Sequence, residues 1–217
     1  MNLPKIIQGG MGVAISNWTL ANAVSRQGYL GVVSGTGLAH LMIARLMDGD
    51  SGGHVRRALG HFPFQAAAKR ILESYFVDKP KIPKPPYKRP PMWSLKPPKA
   101  LEELTIISSF VEVFLAKEGH SNPVGFNLLE KIQMPTMASL YGAMLAKVNV
   151  VIMGAGIPLQ IPGILDKLSH HQAVSYKLDV EGAGKEDDYQ LHFDPLSLYP
   201  EAGEKLGSLL RPYFLPI

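Results

Sequence analysis

Short apolar runs alternate along much of this chain with longer stretches in which apolar positions recur every three or four residues. Residues 3–8 (LPKIIQ), 29–34 (YLGVVS), 123–128 (PVGFNL) and 148–153 (VNVVIM) each read as a buried strand, and glycine follows three of the four closely. After the first run, Ser16 or Asn17 is placed to cap a helix that carries Leu20, Ala21 and Val24 on one side and runs to about Gln27, with Gly28 as its stop. Helical spacing returns over residues 38–47, 136–147 (with Pro135 near the start) and 160–168. Residues 173–179 and the closing 211–217 (RPYFLPI) read as further strands.

The alternation breaks between residues 48 and 118. Residues 48–76 look helical in two pieces, divided around 60–63. Residues 77–100 hold eight prolines and seven Lys or Arg, so neither a regular helix nor a central strand can form there, and a polyproline-like loop is expected. Residues 101–118 return to helical spacing through Leu104, Ile107, Phe110, Val111 and Phe114, with acids in the first turn and Lys117 in the last, as the helix dipole prefers.

Strands that alternate with helices imply parallel βαβ units with both sheet faces covered, so the fold class is α/β. Four strand–helix units and a closing strand are present, whereas a (β/α)8 TIM barrel needs eight units and typically about 250 residues. The chain is thus expected to be either a small open α/β sheet or an incomplete TIM barrel of four to five units. The strand at residues 211–217 favours the second, as one domain over 1–217 with an insertion at about 48–118.

Composition excludes whole classes. With 46% hydrophobic and 18% charged residues the chain is an ordinary globular protein, and no disulfide, thiolate metal site or cysteine nucleophile exists because there is no cysteine. No apolar run approaches the roughly 20 residues of a membrane helix, and the N-terminus lacks a signal-peptide pattern, so a cytoplasmic protein without membrane contact is expected. The net charge of +4 is local: Lys79–Lys99 contributes seven bases and no acid, and the other 15 bases are outnumbered by 18 acids. A general nucleic-acid surface is therefore not expected. Tyr87 and Trp93 within the basic segment could stack on bases, but a solvated excursion over the sheet's rim is favoured.

In parallel α/β folds ligands sit beyond the C-terminal ends of the strands. That directs attention to Gly9–Val13, Ser34–Gly37, Asn127–Leu129 and Met153–Pro158. Glycine there either makes a tight turn or lets backbone N–H groups approach a flat ring or a phosphate. Asn127 ends an apolar strand with a polar amide that either bonds local backbone or points at a ligand. The seven histidines form no metal motif, the adjacent His170 and His171 read as a solvated pair, and neither a Rossmann fingerprint nor a G-x-S-x-G nucleophile is present. Ser51-Gly52-Gly53-His54 reads as a helix N-terminus.

Three segments resemble one family. IIQGGMGVAISNWTLANAVSRQGYLGVVSGTG (6–37), HVRRALGHFPF (54–64) and VGFNLLEKIQMPTMASLYGAMLAKVNVVIMGAGIP (124–158) are similar to the nitronate monooxygenases, formerly 2-nitropropane dioxygenases, in their larger subgroup. The resemblance implies a (β/α)8 barrel with FMN at its C-terminal face and oxidation of alkyl nitronates, as small-molecule substrates, with O2. A related branch reduces enoyl groups in fatty-acid and polyketide synthesis. Carried over by motif, Gly10, Met11 and Gly12 would lie against the flavin, Asn127 would hydrogen-bond it, and Gly35, Met153 and Gly154 would line the same pocket. The family's later strands carry its phosphate-binding segment and histidine base, and RPYFLPI matches its fifth strand. The resemblance therefore assigns no catalytic residue and implies weak activity, or none, for these residues alone. A non-catalytic half-barrel that pairs with a C-terminal half or with itself is the alternative.

Overall fold

The computed structural model describes residues 4–79, 82–83, 85–184 and 186–217. Four strands, β1 (Gly31–Ser34), β2 (Val124–Leu129), β3 (Val150–Gly154) and β6 (Tyr213–Pro216), form one sheet in the order β1-β2-β3-β6. Every pairing is parallel. The strands therefore lie side by side in chain order, without the order reversal of a doubly wound sheet. No closed barrel forms among the described residues.

The strand expected at 3–8 is reduced to a single parallel bridge, Ile7 to Leu30. Backbone bonds run from Gln8 N–H to the Leu30 carbonyl (2.9 Å) and from Leu30 N–H to the Ile6 carbonyl (3.0 Å). The next rung is taken by a side chain: Gln8 Oε1 accepts from the Val32 N–H at 2.9 Å. Ile6 and Ile7 are exposed, so this segment lacks the two-sided burial that its apolar sequence implied.

Helices cover one sheet face. In chain order they are α1 (Trp18–Arg26), α2 (Leu38–Met47), α3 (His54–Gly60), α4 (Gln65–Tyr75), α5 (Lys99–Lys117), α6 (Thr136–Leu145), α7 (Ile161–Ser169), α8 (Pro195–Leu198) and α9 (Ala202–Leu206). α1 begins where its cap residue directs, with Asn17 Oδ1 accepting from the Leu20 N–H at 3.1 Å. The Ser51–His54 segment is a helix N-terminus as expected: a short 3-10 turn leads into α3, and the buried Asp50 carboxylate accepts from the N–H groups of Val55 and Arg56 (both 2.9 Å).

α5 departs from a one-sided amphipathic helix. It packs against α6, α1, α2 and α3 together, so residues from most of its circumference are buried, including Glu103, Thr105, Ser108, Ser109 and Glu112. Burial of the two acids is compensated. Glu112 accepts from the Trp18 N–H (2.8 Å) and pairs with Arg45 (2.6 Å), and Glu103 receives a two-pronged contact from Arg70 (3.0 and 2.6 Å). α6 approaches α5 at Gly142, where a Cβ would run into the Ile106 carbonyl, and β1 approaches α1 at Gly31, where it would strike the Ala21 carbonyl.

Residues 173–179 do contain a strand, β4 (Val174–Lys177), but it pairs antiparallel with β5 (Gln190–Phe193) in a separate hairpin rather than joining the sheet. The solvated His170–His171 pair is half correct. His170 is exposed, whereas His171 is buried at positive φ, with Tyr141 Oη 2.8 Å from Nδ1 and the Gly207 carbonyl 2.7 Å from Nε2. Because a carbonyl only accepts, Nε2 carries a proton and donates to Gly207. No helix among the described residues is long and apolar enough to cross a membrane.

The α5–α6 contact generates a direct test. Gly142→Ala forces two backbones apart where neither neighbour is a flexible side-chain end, so it should lower unfolding stability by about 2 kcal/mol or more in urea denaturation. Gly163→Ala, in a helix with open space at its Cβ, should be neutral or stabilising.

Candidate functional site

The sequence-predicted residues divide into those that meet and those that do not. Gly10, Met11, Gly35 and Asn127 come together at the C-terminal ends of β1 and β2. Asn127 Nδ2 donates to the Gly10 carbonyl (3.3 Å) and lies 3.1 Å from Met11 Sδ, and the Asn127 carbonyl accepts from the Gly35 N–H (2.8 Å). Asn127 is thus in part the local clamp that its chemistry allowed. Its Oδ1, however, is buried without a hydrogen-bond partner. Such an atom costs about 1–3 kcal/mol unless something donates to it.

Gly10 is required at its position. A Cβ there would collide with Val32 Cγ1 and lie 2.9 Å from Asn127 Cβ. The loop is pinned from behind by Ser16, whose Oγ donates to the Gly9 carbonyl (3.0 Å) and whose own carbonyl accepts from the Ser34 N–H (2.8 Å). Gly12 acts inside that loop, its carbonyl accepting from Ile15 and Ser16. Met11 is exposed beside Asn127, with Val13 and Ile15 exposed further along.

Met153 and Gly154 do not join this cluster. Ile152 is the residue in register with Asn127, and it packs in a small apolar group with Leu30, Val32 and Val150 on the face opposite the helices. Strand alternation sends Met153 to the other face, into the helix-packed core, and Gly154 lies against Ile217.

A cavity of about 540 Å³ lies elsewhere, between the first turn of α2, the wall of α5, residues 131–135 before α6 and the proline-rich strap at 90–93. Of the residues that the family resemblance would place against the flavin, only Gly35 reaches it, and Gly35 does so from the helix-covered side, where Phe126 and Leu128 crowd it. The sequence reading missed the cavity's buried wall, Thr105, Ser108 and Ser109. Its signal was present as two adjacent serines between the apolar pairs Ile106–Ile107 and Phe110–Val111. Among the described residues no group of three or more His, Asp or Glu is placed to hold a metal.

Near this cavity, Glu102 lines a small gap with Trp93, Met134 and His192. Burial holds its carboxyl up at about 7, with Lys99 partly opposing the shift. A carboxyl raised in the folded state contributes stability that is complete below its unfolded value and is lost as pH rises through about 7. Between pH 5 and 8 the protein should therefore lose about 1 kcal/mol relative to Glu102→Gln, after allowance for partial solvent screening, in denaturation curves taken across that range. An identical pH dependence in both proteins would contradict the burial.

No protein-family model, curated protein or solved structure matches the chain, so its own residues carry the functional reading.

Proposed function

We propose that this chain forms the ring-side half of an FMN site in an oxidoreductase of nitronate monooxygenase type, acting on a small carbon acid. The observation that carries the reading is Asn127: a buried amide oxygen without a donor, at the C-terminal end of a parallel sheet, beside a glycine that no other residue can replace. An unpaired acceptor of this kind is what an isoalloxazine N–H would satisfy. Gly10 and Met11 would flank the ring, and Asn127 Nδ2 already holds that loop in position. FMN, when bound, supplies the two-electron oxidation and the transfer of electrons to O2; the chain's part is to seat and orient the ring. An enoyl reductase would use the same cradle.

The chain-order parallel sheet supports a barrel-type reading, and Ile7 with the four strands makes five parallel segments. Barrels usually hold phosphate with the loops after strands seven and eight. The ring therefore has its partners here and the phosphate does not. Flavin fluorescence titration should show weak binding, with Kd on the order of tens of micromolar or more, and FMN should bind no more than a few-fold better than riboflavin. Asn127→Leu should abolish that binding while changing stability by no more than about 1 kcal/mol, because loss of the bond to the Gly10 carbonyl is offset by removal of an unpaired buried acceptor. Tight binding with strong preference for FMN over riboflavin, or binding indifferent to Asn127→Leu, would contradict the reading.

A second reading, a half-barrel that assembles through its edges, has its own support. Ile6, Ile7, Val13 and Ile15 are exposed at one end of the sheet, and Tyr213 and Ile217 at the other. If two copies pair there, sedimentation velocity should show a concentration-dependent dimer that Ile7→Lys and Tyr213→Lys each weaken. A monomer at all concentrations would remove this reading.

A further inference from the structure

We propose that the cavity beneath the proline-rich strap is a binding site, separate from the flavin cradle, for a planar aromatic monoanion such as an aryl carboxylate. Two independent features point to the anionic head. The first is the start of α2. Its first helical bond runs from the Leu41 N–H to the Gly37 carbonyl, so the N–H groups of Leu38, Ala39 and His40 have no helical acceptor. Gly37, the residue in the capping position, sits at φ 71° and offers no side chain to them. All four residues line the cavity, so a ten-residue helix presents its positive end to that space. The second feature comes from another element. Ser109, on α5, lines the same cavity and is 0% exposed, and its Oγ has no hydrogen-bond partner. Its neighbours differ: Ser108 Oγ donates to the Thr105 carbonyl and Thr105 Oγ1 to the Leu101 carbonyl.

Charge agrees with this. Lys131 and His40 stand on the wall, and no Asp or Glu lines the cavity. Donors from two elements thus face a space that contains no acid to receive them. The body of the ligand follows from the remaining walls. Pro90, Pro91 and Trp93 of the strap, with Met92 and Met134, present flat and polarisable apolar surface, which suits a ring system better than a flexible chain. A volume of about 540 Å³ is in the range of sites for compact organic ligands and accommodates two fused rings. The strap thereby has a role that its basic charge did not indicate: it roofs the cavity with its proline and aromatic residues.

The test is calorimetric titration of the full chain with 2-naphthoate and with its uncharged counterpart 2-naphthalenemethanol. The carboxylate should bind 1:1 and at least about 10-fold more tightly than the alcohol. Ser109→Ala should weaken 2-naphthoate about 5-fold or more and leave the alcohol nearly unchanged. Met92→Glu alters a side chain that is 89% exposed at the cavity's mouth, so the fold is spared, and the added charge should weaken the carboxylate selectively. Saturating FMN should leave 2-naphthoate binding intact. Equal affinity for acid and alcohol, indifference to Ser109→Ala in a variant with wild-type circular dichroism, displacement by FMN, or no binding up to about 1 mM would each overturn the proposal.

Discussion

The burial of α5 is the constraint on which the rest of the molecule depends. A helix enclosed on most sides must have its buried charges met by its neighbours, and those neighbours are thereby fixed. Glu112 ties α5 to the start of α1 and to Arg45 of α2, while Glu103 ties it to Arg70 of α4. Gly142 lets α6 reach the α5 backbone itself. The three helices between α2 and β2 are therefore built into the layer that covers the sheet. Removing the Glu112 carboxylate would strand the Trp18 N–H and the largely buried Arg45, which costs more than losing an exposed ion pair elsewhere on the surface.

The sheet separates two candidate sites. On the side away from the helices, the loop after the first pairing segment folds over Val32 and Asn127 and leaves one amide oxygen unanswered. On the helix side, α5 presents a serine to a cavity that the strap covers. Both regions belong to the C-terminal ends of β1 and β2, where parallel sheets commonly place ligands, yet they lie on opposite faces and share only Gly35. Each holds a buried polar atom without a partner, a sign that His120 Nδ1 and Tyr199 Oη also carry elsewhere among the described residues.

Much of the architecture was legible because local signals and tertiary packing agree. Asn17 capped the helix that its position indicated, glycines closed β1 and β3, and apolar continuity marked β2. What was not legible depended on partners distant in sequence. The first strand looked buried, but only its end pairs and its outer face is open. β5 was unreadable because its polar alternation over four residues becomes a strand only beside β4. His171 resembled a surface residue until Tyr141 and Gly207 closed around it. The cluster of Gly10 and Asn127 was legible from loop position, whereas Met153, expected beside it, lies in the helix-packed core, because strand register and not loop position decides where a side chain points. The cavity escaped notice since its walls come from four segments between residues 35 and 139.

Native-state hydrogen exchange followed by mass spectrometry tests the central role of α5 most directly. If the account holds, peptides from residues 101–117 exchange as slowly as those from β2 and β3, open only with the whole molecule, and lose protection in step with the sheet as denaturant is added. Exchange of α5 through a separate, easier opening while the sheet stays protected would show that the helix merely rests on the fold and does not hold it together.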